Sequence, residues 1–132
     1  MASIFSRIVA GEIPAHKVAE DDNYLAFLDI SPLAVGHVLV IPKKEVDYIF
    51  DLDDETYLGL NAFAKKVAAG QRKAIECKRI GITVIGLEVA HAHIHLIPIN
   101  RVDDMNFSRP KLRLSQDELK HTAEKIAREI VL

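Results

Sequence analysis

The sequence predicts an α+β domain, with five short, mainly antiparallel strands, a central helix and a C-terminal helix. Strand-like runs dominate the first part of the chain, and one long helical pattern interrupts them. The regular alternation of strands and helices that characterises a parallel sheet is not seen. The 132 residues can bury one core and include no linker or repeat. We therefore expect a single domain over residues 1–132, with its helices on one face of the sheet.

The first part of the chain predicts a short helix and three strands. Ser3 can cap a helical turn over residues 3–9, which the following glycine and proline end. Residues 16–20 and 24–28 have strand character, and the polar turn Asp-Asp-Asn between them indicates a hairpin. After a loop, the apolar run HVLVI over residues 37–41 predicts the third strand.

The second part of the chain predicts the two longer helices and the remaining strands. Residues 53–75 have apolar side chains at helical spacing and two aspartates at the start, although Gly70 is expected to end or fray the last turns. Residues 80–85 (IGITVI) predict a strand. Ser-Gln-Asp-Glu at 115–118 forms a capping box for the C-terminal helix.

Composition excludes several classes of protein. The formal net charge of −2 provides no basic surface for nucleic acid. The single cysteine, Cys77, excludes an internal disulfide and fits a reducing compartment. The first residues lack the apolar run of a signal peptide, and no run approaches the length of a membrane span. We expect a cytoplasmic protein that binds neither nucleic acid nor membrane.

The most informative stretch is His91-Ala92-His93-Ile94-His95-Leu96-Ile97-Pro98. Its alternation of histidines and apolar residues predicts a strand with three imidazoles on one face. In an apolar core, ring nitrogens without partners would cost about 1–3 kcal/mol each. A chemical role therefore explains the row better than a structural one.

Two kinds of chemistry fit this row. Three neutral imidazoles and a water molecule can bind catalytic zinc, although ligands along one flat strand do not readily surround a single ion. Alternatively, the central imidazole attacks phosphorus, and a flanking imidazole stabilises charge or protonates the leaving group. Reference pKa values near 6.5 predict that neutral and protonated forms coexist at physiological pH.

The row resembles the His-x-His-x-His-x-x signature, x being apolar, of the histidine triad (HIT) superfamily. The stretch IFSRIVAGEIPAHKVAEDD resembles the amino-terminal segment of this family, and AFLDISPLAVGHVLVIPKK resembles its second block. The resemblance extends from about Ile4 to Pro98. It implies a HIT-like fold and a nucleotide hydrolase or transferase that acts on the α-phosphate of a nucleoside monophosphate derivative.

The resemblance also implies roles for individual residues. His93 corresponds to the nucleophile, which forms a nucleotidyl-histidine intermediate, and His95 to its phosphate-contacting partner. His91 is the first triad member, and His37 matches a fourth family histidine. Asp29 matches the carboxylate that accepts both ribose hydroxyls. The family's apolar pocket for the base is matched by Phe5, Ile8, Phe27, Leu28 and Ile30.

The chain departs from the family pattern at two places. Many bacterial members bind zinc through a Cys-x-x-Cys, a histidine after the Pro-Lys-Lys turn and the first triad histidine. Here those first three places hold Ser3, Ser6 and Glu45, so we expect no structural zinc and no cofactor. The phosphate-contacting loop is replaced by an apolar run that contains Glu88 and Val89. We include both residues in the substrate site, although Glu88 would repel phosphate unless it turns away.

Three functions are compatible with these residues. The first is a HIT-type hydrolase of purine (AMP-like) phosphoramidates or dinucleoside polyphosphates. The second is a nucleotide-binding regulatory module with weak catalysis, and the third is a His-ligated metalloenzyme. The resemblance further implies a homodimer joined through the central helix and a strand.

Overall fold

The structure, a computed structural model, describes residues 2–132. In chain order its elements are α1 (Ile4–Val9), β1 (Lys17–Glu20), β2 (Tyr24–Leu28), β3 (Val38–Pro42), a 3-10 turn (Ile49–Asp51), α2 (Asp54–Ala74), β4 (Arg79–Thr83), β5 (Ile94–Ile99), a second 3-10 turn (Val102–Met105) and α3 (Gln116–Ala127). Four predicted strands agree with the observed ones to within two residues, and the fifth begins later than predicted. None of the helices in residues 2–132 is long and apolar enough to cross a bilayer.

The five strands form one sheet in the order β1-β2-β3-β5-β4, and every neighbouring pair is antiparallel. The predicted α+β class is therefore confirmed. All residues of β2 and β3 are buried, although a strand covered on one face only would alternate between buried and exposed positions. Both faces of these central strands must therefore be covered by other elements.

Helices cover both faces of the sheet. On one face, α2 and α3 contribute Leu60 and Ile126 to the larger core cluster, together with Leu28 of β2. On the other face, α1 packs Phe5 and Ile8 against Leu25, Phe27, Leu39 and Ile41. The expectation that all helices share one face is therefore wrong for α1. The reason is that β2 and β3 have apolar side chains on both faces, and the apolar side of α1 covers the second one.

The central helix does not end at Gly70. It begins after Asp53, whose side chain accepts a hydrogen bond from the Thr56 backbone, and continues to Ala74. A Cβ atom on Gly70 would lie 2.8 Å from the Glu129 backbone and 2.6 Å from an Ile130 side-chain atom. Gly70 therefore permits the C-terminal segment to approach the helix closely, and the predicted fraying is wrong.

A buried amide attaches α2 to the strands that carry the histidines. Gln71 is fully buried, and its Nε2 donates to the carbonyls of Gly36 at 2.8 Å and Leu96 at 2.9 Å. These two residues are next to His37 and His95, respectively. The amide therefore holds the backbones of both histidine segments against the helix.

Candidate active site

The four histidines of interest come from two neighbouring strands and the segments that lead into them. His95 lies within β5, where it is opposite Leu39 of β3 on one side and Thr83 of β4 on the other. His37 directly precedes β3, and His91 and His93 precede β5. All four side chains are buried.

The predicted strand from His91 to Pro98 is wrong at its start, because β5 begins only at Ile94. Before that point the chain leaves the sheet ladder, and the Ala92 backbone N–H donates to the Val46 carbonyl at 2.7 Å. The predicted division into two faces is nevertheless seen, since Ala92, Ile94 and Leu96 all pack in the core beneath α2 and α3.

The rings of His93 and His95 are adjacent on the α1 side of the sheet, with centroids 5.0 Å apart. Phe5 of α1 packs edge-on against His93 at 5.0 Å and against His91 at 5.9 Å. The short N-terminal helix therefore forms one wall of the site.

The central histidine has one engaged and one free ring nitrogen. His93 Nδ1 lies 2.7 Å from the backbone carbonyl of His91, which can only accept. We therefore assign the proton of neutral His93 to Nδ1. Its Nε2 has no hydrogen-bond partner in residues 2–132 and is not fully buried. This nitrogen presents a lone pair to the site.

A chain of hydrogen bonds assigns the opposite tautomer to His95. The Leu33 backbone N–H donates to His37 Nδ1 at 3.1 Å, so neutral His37 carries its proton on Nε2. That atom lies 3.0 Å from His95 Nδ1, which therefore accepts. Neutral His95 must then carry its own proton on Nε2. The two neighbouring triad rings thus offer an acceptor (His93) and a donor (His95).

Burial keeps the flanking imidazoles neutral. It lowers the pKa of His37 to about 3, and nearby His95 adds to the effect. Burial and the neighbouring His93 lower the pKa of His95 to about 4. Burial also lowers the pKa of His91, although the hydrogen bond to Pro42 and the charge of Glu45 oppose this shift. The expectation that these rings titrate near neutrality is therefore wrong, because an imidazolium in these surroundings would lose its hydration.

The structure brings Asp29 to the same site. One carboxylate oxygen, Oδ1, accepts from the Ser31 backbone at 2.8 Å, and Oδ2 lies 3.7 Å from His37 Nε2. Burial raises the pKa of Asp29, while the Ser31 hydrogen bond opposes that shift. Exposed Glu88 is near enough for its charge to raise the same pKa.

Three of the predicted pocket residues form an apolar wall beside the histidines. Phe5, Ile8 and Phe27 share the cluster on the α1 side, and the rings of Phe5 and Phe27 are 5.5 Å apart. Half-buried Val89 packs against the same cluster.

Two further predicted pocket residues are not brought to this wall. Leu28 is buried in the core beneath α2 and α3, because its side chain points to the face opposite that of Phe27. Its side chain therefore does not contribute to the wall on the histidine side, and its role in binding a base stays a prediction. Ile30 is 67% exposed and belongs to neither core cluster.

Comparison with known proteins agrees with this arrangement. The family model described as HIT domain matches residues 10–102, which is more than half of the chain. The chain belongs to the HIT family. The histidine row and His37 lie within the matched residues, whereas Phe5 and Ile8 of the apolar wall precede them.

Relatives of this HIT-family chain match it over nearly their whole length. A HIT-like protein of Borreliella burgdorferi is 36% identical over 135 residues, covering 96% of this chain and 97% of the relative. Adenosine 5'-monophosphoramidase hnt1 of Schizosaccharomyces pombe is 35% identical over 136 residues, covering 98% of this chain and 99% of the relative. The crystal structure of a Hit-like protein involved in cell-cycle regulation from Bartonella henselae superimposes with a TM-score of 0.85 at 32% identity, covering 97% and 96% of the two chains.

Two residues near the histidines of this HIT-family chain were not predicted from the sequence. Phe107 packs edge-on against His95, with ring centroids 5.0 Å apart, and 6.3 Å from the His37 ring. The Lys111 ammonium lies 5.9 Å from the Phe107 ring, and its charge lowers the pKa of both Asp29 and His37. Both lie in the irregular segment after β5, where an aromatic residue among polar ones is the only sequence signal.

Asp29, His37 and His95 are the one group of three potential metal ligands found in residues 2–132, with ligand atoms within 4.8 Å of one another. A metal ion would need the lone pair of His37 Nε2. The Leu33 N–H occupies Nδ1, however, so the proton of His37 remains on Nε2. This HIT-family site therefore fits a metal ion poorly.

The zinc set implied by the HIT family does not fit either. Serine hydroxyls are neutral and weaker zinc ligands than the thiolates they replace. The Ser3 hydroxyl lies 2.8 Å from His91 Nδ1, the nitrogen that would face the metal. Glu45 is hydrogen-bonded to both serines. That no structural zinc is bound through this set stays a prediction.

Proposed function

We propose that this chain is a nucleotide hydrolase that attacks the α-phosphorus of a purine nucleoside monophosphate derivative. The observation that carries the proposal is the free Nε2 of His93. Because Nδ1 donates a hydrogen bond to the His91 carbonyl, the lone pair of Nε2 is available. His93 would form a bond to phosphorus while the bond from phosphorus to the leaving group breaks. Water then attacks phosphorus, releases the nucleotide and frees Nε2.

His95 is proposed to assist both steps. In the free protein its Nε2–H can donate a hydrogen bond to a phosphoryl oxygen. Because His95 Nδ1 accepts from His37 Nε2–H, the His95 ring stays neutral and acts through this donor in both steps. The leaving group departs with a proton taken up from solvent, and the attacking water gives one proton to solvent.

The remaining residues support a nucleotide as the substrate. The Oδ2 atom of Asp29 is a suitable acceptor for ribose hydroxyls, because a carboxylate accepts without donating. Phe5, Ile8, Phe27 and Val89 form an apolar wall that suits a base. The activity named for the S. pombe relative favours adenosine 5'-monophosphoramidate as the first substrate to test.

The test is to mix the purified protein with adenosine 5'-monophosphoramidate and measure AMP by chromatography. Wild type should release AMP, and the H93A variant should lose at least about 10³-fold in kcat because the covalent step is removed. The matched control is H121A, since exposed His121 of α3 lies outside the site. The proposal fails if wild type is inactive on phosphoramidates and dinucleoside polyphosphates, or if H93A retains activity.

A regulatory nucleotide-binding module is the second candidate. Exposed Glu88 is near enough for its charge to raise the pKa of Asp29, and at that distance it would also repel a polyphosphate or a leaving group. Calorimetric binding of AMP with micromolar affinity, without turnover of any adenylated substrate, would favour this candidate over the hydrolase.

We also propose that the chain forms a homodimer through β4. This strand pairs only with β5 in residues 2–132, so its other edge is open to a second copy. Exposed apolar side chains line one cavity beside β4, among them Phe50, Ile82 and Ile85. A mass measurement by light scattering should give a dimer for wild type and a monomer for I82E.

A further inference from the structure

The residues at the places of the family's zinc ligands form a hydrogen-bonded network of their own. The network consists of Ser3 and Ser6 at the start of α1, Glu45 after β3, and His91 before β5. Ser3 Oγ lies 2.8 Å from His91 Nδ1, while Ser6 Oγ lies 2.7 Å from Glu45 Oε1. We call this set the Ser3 network. It joins three segments that are distant in the sequence.

The direction of each hydrogen bond in the Ser3 network can be assigned. The Pro42 carbonyl can only accept, so the proton of neutral His91 lies on Nε2, 2.8 Å away. His91 Nδ1 must then accept, and the Ser3 hydroxyl donates to it. Ser3 Oγ in turn accepts from the Ser6 backbone N–H at 2.9 Å. The buried His91 ring is therefore held by partners at both nitrogens.

Glu45 is the acceptor that holds both serines of the network. Its Oε1 accepts from the Ser3 backbone N–H at 2.6 Å and from the Ser6 hydroxyl at 2.7 Å. These bonds, with the Ser3 backbone contributing most, lower the pKa of Glu45 to about 2. The carboxylate is therefore ionised at any pH at which the protein is assayed, and both serines keep their orientation.

The network leads directly to the proposed nucleophile. The ring of His91 is fixed by Pro42 and Ser3, and the backbone carbonyl of the same residue accepts from His93 Nδ1 at 2.7 Å. We propose that Ser3 and Glu45 are positioning residues that orient His93 through His91. The catalytic part of this inference rests on the proposed function.

The Ser3 network stands where the family pattern implies a metal ion. In relatives with the zinc set, a metal ion would join the corresponding segments. Here a carboxylate and two hydroxyls join them, with donors and acceptors matched at each contact. We therefore expect the orientation of His93 to be independent of metal.

The first experiment compares Ser3→Ala and Ser3→Thr with wild type in steady-state hydrolysis of adenosine 5'-monophosphoramidate. Ser3→Ala removes the hydroxyl donor and should lower kcat about tenfold, equivalent to about 1.4 kcal/mol, with KM unchanged. Ser3→Thr keeps the hydroxyl and should restore kcat to within about twofold. Ser115→Ala is the matched control, because it removes the serine cap of α3 without contacting the site.

Glu45 is tested in the same assay. Glu45→Ala should lower kcat about as much as Ser3→Ala, whereas Glu45→Gln keeps an acceptor oxygen and should lose less than about threefold. The exposed Glu12 provides the control Glu12→Ala, which should behave as wild type.

A second measurement does not depend on turnover. Ring 15N resonances should show one tautomer for His93 in wild type, with the proton on Nδ1, and a mixture in Ser3→Ala and Glu45→Ala. If those variants keep both wild-type kcat and a single tautomer, or if a chelator abolishes that tautomer in wild type, the inference is overturned. If wild type has no activity on any substrate while the tautomers change as described, the proposed function fails and the positioning inference stands.

Discussion

Two replacements of His37 can separate its two hydrogen bonds. In Asn, the side-chain oxygen corresponds to Nδ1 and can accept from the Leu33 N–H, but the side chain is too short to reach His95. In Gln, the side-chain nitrogen corresponds to Nε2 and can donate to His95, but the acceptor for Leu33 is lost. Both native bonds are buried, at 3.1 Å and 3.0 Å, and His37 is only 1% exposed.

The expected magnitudes follow from that burial. In H37Q the Leu33 N–H has no partner and no access to water, so the free energy of unfolding should fall by about 1–3 kcal/mol. In H37N, His95 loses the donor that fixes its tautomer, and its proton can move to Nδ1. The Nε2–H that would face phosphate is then lost, and loss of one such donor lowers kcat about 10²-fold. H37Q should lose less than about tenfold in kcat.

The assay combines kcat for AMP release with ring 15N spectra of His95 and urea denaturation. H37N should show a changed His95 tautomer and the larger loss of kcat, whereas His95 should keep its tautomer in H37Q. The assigned proton positions are wrong if both variants keep the proton on His95 Nε2 and lose the same amount of activity.

Three further predictions concern stability, pH and metal. The free energy of unfolding should fall as the pH drops from 6.5 towards 4, because His37 and His95 bind protons in the unfolded chain while burial keeps them neutral in the folded one. These two groups contribute a slope of up to about 2.7 kcal/mol per pH unit in urea denaturation, to which His91 adds in the same direction. H37Q should remove about half of the contribution of the two groups; equal stability at pH 6.5 and 4.5 would contradict the assignment. G70A should destabilise the fold by about 1–3 kcal/mol in thermal unfolding, although alanine favours helices by about 1 kcal/mol, because its methyl group meets the Glu129 backbone. In a chain shortened after Arg128 the same substitution should stabilise, and a loss there would point to another cause. Dialysis against a chelator should leave Tm and turnover unchanged, and metal analysis of the untagged protein should detect no bound zinc; loss of activity that zinc restores would refute this.

Features set by local chemistry could be predicted from the sequence. Ser3, Asp53 and Ser115 all cap helices, because the side chain of each accepts a backbone N–H at the first turn. The alternation around Ile94 correctly separates the apolar face from the histidine face. These patterns depend on neighbours within a few residues along the chain.

Features set by packing could not be predicted. The apolar side of α1 does not reveal which face of the sheet it covers, so the relation of Phe5 to His93 was visible only in the structure. Adjacent residues of a strand point to opposite faces, so Phe27 and Leu28 could not both face the histidines; which of the two does so was visible only in the structure.

The electrostatics of the site depend on contacts between distant segments. Burial lowers the pKa of His37 and keeps it neutral, and the Leu33 N–H fixes its tautomer; no spacing in the sequence reports either. Phe107 reaches His95 from an irregular segment that has no periodic pattern.

The position of His95 between two strand partners has a consequence for motion. Its backbone amide lies in the interior of the sheet, opposite Leu39 and Thr83, so it should exchange with deuterium only when much of the protein opens. His93 precedes the ladder and is free of that restraint. Local opening of the protein should therefore displace the proposed nucleophile, His93, more readily than His95.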